Sequence, residues 1–145
     1  MSLDVYLIKP PEQRHTKILI LENGIRRELT YTEFLEKFPD TPLDNGWDDD
    51  EEYYSGNITH NLNKMAAAAG IYGAVWRPEE NDITTAKQLI PILTEGLTRL
   101  KSDPDRYKIF DDPHHWGTYD QFVLFLTDYL NACLEHPEAV IEVSR

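Results

Sequence analysis

A chain of 145 residues is long enough to bury a single core without disulfide or metal staples. Its 26 acidic and 14 basic residues give a formal charge of -12, which disfavours phosphate-backbone binding by the surface as a whole, since that affinity needs clustered Lys and Arg. Cys133 is the single cysteine, so an internal disulfide is excluded and a reducing compartment is indicated, and no apolar run approaches a membrane span.

Leu3, Val5 and Leu7 alternate with Asp4 and Tyr6, a period of two that predicts a half-buried strand stopped by Pro10-Pro11. Asn23-Gly24 between the apolar runs 17–21 and 25–31 predicts a hairpin, because both residues tolerate positive φ. Thr32 to Phe38 reads as a short helix capped by Thr30 or Thr32 and ended by Pro39. The stretch 41–45 reads as a loop. The run Asp48 to Glu52 repels itself and reads as a solvated loop, with a metal-binding or nucleic-acid-mimicking patch as the functional alternative.

Ile58, Leu62, Met65 and Ala69 recur at helical offsets and predict a helix that starts near Asn57 and ends at Gly70, with a short strand over Glu51 to Tyr54 before it. Asn57, His60, Asn61 and Lys64 then share the opposite face. Asparagine is a poor helix former, so its recurrence at 57, 61 and 63 suggests hydrogen bonding to a ligand or a neighbouring loop. The segment 71–76 reads as a turn and a short extended piece, with Pro78 preventing helix at Arg77.

Further on, Leu89, Ile92, Leu93, Leu97 and Leu100 predict an amphipathic helix capped by Thr84 or Thr85, with Pro91 a kink unless it falls in the first turn. Asp103-Pro104-Asp105 opens another short helix, and 111–117 is a loop. Thr118 or Asp120 starts a helix with Phe122, Leu126, Tyr129, Leu130 and Cys133 on one face, ending at His136-Pro137. Val140 to Val143 is a strand joining the N-terminal one.

The histidines lack the spacing of a recognised metal site, and neither a Gly-x-Ser-x-Gly turn nor a glycine-rich phosphate loop is present. Trp76-Arg77 admits two readings: an aromatic that stacks on a base beside a guanidinium that takes phosphate, or a core tryptophan beside a structural ion pair. Trp116-Gly117 with Tyr119 supplies a second aromatic pair that can close over the same face.

Asn57-Ile58-Thr59-His60-Asn61-Leu62, Gly70-Ile71-Tyr72, Trp76-Arg77-Pro78-Glu79 and Trp116-Gly117-x-Tyr119 together resemble a group of small bacteriophage and prophage proteins. The resemblance covers most of the chain from Tyr53 onward plus Ser2 to Leu7, and makes 10–50 an insertion carrying the hairpin. It implies an accessory, counter-defence role in the host cytoplasm, such as sequestering a nucleotide signal.

The sequence thus predicts a single α+β domain over 1–145, a small antiparallel or mixed sheet (N-terminal strand, hairpin, C-terminal strand) on three main helices. Its function is expected to be the binding, without catalysis or cofactor, of a small nucleotide-like ligand by Asn57, His60, Asn61, Lys64, Tyr72, Trp76, Arg77, Trp116 and Tyr119. Two alternatives stand beside it: an acidic inhibitor of a basic host protein, for example a defence protein, and a nucleotide hydrolase using His60. Direct nucleic-acid binding and membrane association are not expected; self-association is left open.

Overall fold

The computed structural model describes residues 2–10, 18–29, 33, 36–37 and 51–145. Three strands form one antiparallel sheet: β1 (Ser2–Ile8) in the middle, β4 (Glu52–Thr59) on one side and β5 (Val140–Ser144) on the other. Leu3, Val5 and Leu7 are fully buried on one face of β1, as the period of two requires. Asp4 pairs with both Asn57 of β4 and Ser144 of β5, which fixes the register of all three strands.

The α+β class holds, with the N- and C-terminal strands side by side. The hairpin β2 (Ile18–Glu22) and β3 (Ile25–Leu29) turns at Asn23-Gly24, both at positive φ, and makes a two-stranded sheet of its own. Its place in the main sheet is taken by β4. Of the helix expected over 32–38, Glu33, Glu36 and Lys37 are helical, and its caps lie outside the described residues, as do the 41–45 loop and Asp48 to Asp50. Glu51 belongs to the acidic run but is buried, its carbonyl accepting from the Lys9 amide.

The helix predicted from Asn57 begins six residues later. Ile58 and Thr59 continue β4 opposite Leu3 and Ser2, a 3-10 turn follows at His60–Leu62, and α1 is Asn63–Ala68. Ile58, Leu62 and Met65 are all buried, so strand, turn and helix together reproduce a helical burial pattern that strand pairing then overrides. Gly70, at φ 79, ends the helical stretch as expected.

Next, α2 (Tyr72–Trp76) is helical where an extended piece was expected, and Pro78–Asn81 forms a 3-10 turn. Thr85 and Gln88 form a reciprocal cap for α3 (Ala86–Ser102), which runs on through Pro91. α4 (Pro104–Lys108) has its proline just inside. Thr118 and Gln121 cap α5 (Tyr119–Glu135) in the same reciprocal way. α3 packs on α5, and α5 leans on β4, so the core lies between this helical layer and the inner face of the sheet.

Candidate functional site

The loop between α4 and α5 is tied down at several points. Asp112 Oδ2 accepts from the main-chain amides of His114 (2.8 Å) and Trp116 (3.3 Å), and Asp111 Oδ1 accepts from that of Tyr119 (2.7 Å). Asn61, in the turn after β4, donates from Nδ2 to the Trp116 carbonyl at 2.9 Å. His115 sits at φ 62, and Gly117 at φ 123 lies so close to the turn that a Cβ there would be 3.0 Å from Thr59 Cγ2. The outcome is a fixed loop that leaves the Trp116 side chain 73% exposed.

Below Trp116 runs a groove of about 690 Å³, walled by Tyr54 to Thr59 of β4, by His115 to Gly117, and by Gln121, Leu124, Phe125 and Asp128 of α5. The α5 residues follow a spacing of three, one and three, a stripe along one flank of the helix. Six consecutive β4 residues contribute, those of both sheet faces, so the groove follows the strand's edge. That edge pairs with no strand among the described residues.

The floor is apolar and the rim polar. The Tyr54 ring stacks on Tyr129 at 5.8 Å between centroids, and its hydroxyl leans across Gly56, where a Cβ would be 2.6 Å away. Burial, then the Asp128 carboxylate and Cys133, push the Tyr54 phenol up to about 12, so it remains a hydrogen-bond donor at neutral pH. Leu124 is 63% exposed beside it. Among the described residues, neither Lys nor Arg lines the groove.

The nine residues expected to form one pocket are divided by the fold. Asn57 and Trp116 line the groove, and Asn61 holds Trp116 in place. Asn57 is on a strand, where its amide donates to Ser2 Oγ (2.9 Å) and Asp4 Oδ1 (2.6 Å). His60, Tyr72, Trp76 and Arg77 make a separate chain: the Trp76 indole donates to His60 Nδ1 at 2.9 Å, Tyr72 stacks on Trp76 at 5.6 Å, and Arg77 reaches the Tyr72 hydroxyl at 3.4 Å and Glu80 at 2.9 Å. Trp76 is a core residue, which is the structural reading of the Trp-Arg pair. Tyr119 is buried too, its hydroxyl donating to the Leu100 carbonyl, and Lys64 is exposed on α1 away from the groove walls.

Tyr54, Gln121, Leu124, Phe125 and Asp128 were not singled out from the sequence. Leu124 carried the available signal, an apolar residue one position off the buried stripe of its helix. Among the described residues, no group of three or more His, Cys, Asp or Glu is arranged to hold a metal ion, and no helix is long and apolar enough to cross a membrane. Compared with protein-family models, curated proteins and solved structures, the chain finds no match.

Proposed function

We propose that the chain is a binding module without catalysis, acting by capture of a protein segment in the β4–α5 groove. One observation carries this: a loop held by Asp111, Asp112 and Asn61 presents a tryptophan to solvent directly above the groove. Trp is the residue type most often found at the energetic centre of a protein interface, and an exposed one braced from beneath favours recognition over packing. The charge of -12 suits a basic partner. In the setting implied by the resemblance to bacteriophage accessory proteins, that partner is a component of host defence.

A second reading keeps the nucleotide-like ligand. The Trp116 face offers stacking, and Gln121 offers an amide and Asn57 its side-chain carbonyl oxygen to a base edge. It ranks second because Lys64 and Arg77, the expected phosphate partners, are not on the groove walls.

Selection from a displayed library of random linear peptides separates the two readings. Peptides that enrich on the wild type and lose binding to Trp116→Ala support the first. Calorimetric binding of a cyclic dinucleotide or an ADP-ribose derivative that Trp116→Ala abolishes, with no peptide enriched, replaces it by the second. No binding in either arm removes the groove from consideration.

A further inference from the structure

Resting on the reading of the groove as a protein-binding site, we infer that its occupant is an extended basic segment that joins the main sheet as a fourth strand along the open edge of β4. Strand addition needs an unpaired edge, room beside it, and a wall that sorts the side chains of the incoming chain. All three are present. β4 is an outer strand, and its other edge faces the groove among the described residues. From Tyr54 to Thr59 the strand extends about 16 Å, enough for a partner strand of ordinary length.

The edge residues themselves also lack the usual defences. Natural sheets blunt their edges with lysine, proline or inward-pointing charges. Between Tyr53 and Thr59 this strand reads Tyr-Tyr-Ser-Gly-Asn-Ile-Thr, without a proline or a charged residue. The irregular register lies at its far end, between Leu7 and Ile8 of β1, so the stretch along the groove is regular. Such an edge invites pairing.

Charge selects the occupant. Asp128 is the acidic group on the α5 wall, and among the described residues neither Lys nor Arg accompanies it on the lining. A second copy of the chain would bring its own charge of -12 to the same place, which argues against self-pairing. A segment alternating apolar and basic residues fits better. Its apolar side chains would turn toward Trp116, Leu124 and Phe125, and the Lys or Arg side chains of its other face would lie at the open rim, within the electrostatic reach of the exposed Asp128.

The probe is a fluorescein-labelled, end-capped peptide of alternating lysine and valine, read by anisotropy and by amide hydrogen exchange of β4. Its counterpart has glutamate for lysine, and two further versions of the lysine peptide are N-methylated at alternate residues, one on each edge. The lysine peptide is expected to bind and to slow exchange of β4 amides, with N-methylation on the pairing edge weakening it about tenfold or more. Asp128→Asn should weaken it severalfold and flatten its salt dependence, and the glutamate peptide should bind at least roughly tenfold less well.

Trp116→Ala and Asp128→Asn alter exposed side chains, so both should fold with the circular dichroism spectrum of the wild type, which is the control for each. Equal binding by peptides N-methylated on either edge overturns strand addition while leaving the groove as a site for side chains. Equal binding of the glutamate peptide overturns the basic partner. No binding by the lysine peptide overturns the inference as a whole, and the protein-capture reading then stands or falls on the library selection.

Discussion

The side-chain amide of Asn61 and the main-chain carbonyl of Trp116 are 2.9 Å apart, a bond across 55 positions that joins the end of β4 to the loop before α5. Asn61→Ala removes the tie and leaves the bonds made by Asp111 and Asp112 inside the loop. The stability cost should be modest, about 1 kcal/mol. What should change is the order of Trp116. In protein labelled with 5-fluorotryptophan, the Trp116 fluorine line should narrow in the variant while that of buried Trp76 stays in place. An unaltered Trp116 line would mean that the loop needs no anchor on the turn.

His60 and Trp76 give a sharper effect. Trp76 is 2% exposed and its indole N–H ends on His60 Nδ1, so the neutral ring carries its proton on Nε2. His60→Ala strands a donor inside the core and should cost about 1–3 kcal/mol in urea unfolding, with an unchanged slope. His60→Gln, which can present a carbonyl, should recover part of the loss. If alanine and glutamine unfold at the wild-type midpoint, the bond contributes nothing.

These two pairs show what the sequence makes legible. Alternation in β1, the caps of α3 and α5 to within one or two residues, and the buried stripes of those helices were readable because they are local patterns. The stretch around Asn57 was not. Ile58, Leu62 and Met65 satisfy a helical spacing, yet the distant partners Asp4, Leu3 and Ser2 of β1 hold Asn57, Ile58 and Thr59 in a strand. The site divided for the same reason. Asn61 does bond a neighbouring loop, one of two roles its awkward presence suggested, but that His60 would turn to Trp76 and Asn57 to Asp4 depends on strand register, which no local spacing records.

Gly96 tests the packing of α3 against the segment after α1. A Cβ built there would be 2.7 Å from Cγ2 and 3.0 Å from Cδ1 of Ile71, a residue only 1% exposed. Alanine ordinarily stabilises a helix interior by about 0.5–1 kcal/mol over glycine. Overpacking a branched, fully enclosed neighbour costs about 1–3 kcal/mol, so Gly96→Ala should be destabilising. Ile71→Val removes the Cδ1 methyl and should make the alanine less costly in the double variant. A Gly96→Ala protein more stable than wild type would show that Ile71 has room to move.

Cys133 links the core to alkaline pH. It is fully buried, and burial pushes its thiol up from about 9 to about 12, so the folded chain keeps a proton that the unfolded chain gives up earlier. Where the unfolded state binds fewer protons, stability falls as pH rises. The contribution is therefore intact below about 9 and is lost progressively toward 12, at up to about 1.4 kcal/mol per pH unit for this one group. Tyr54 and Tyr129 are displaced in the same direction and add to the slope above about 10. Subtracting the pH–stability curve of Cys133→Ala from that of the wild type should isolate a falling limb that begins about one unit before the tyrosines contribute. The same burial predicts that a disulfide reagent leaves the native thiol untouched at pH 8 and reacts at the rate of unfolding; prompt reaction would show that the α5 face opens more readily than the packing implies.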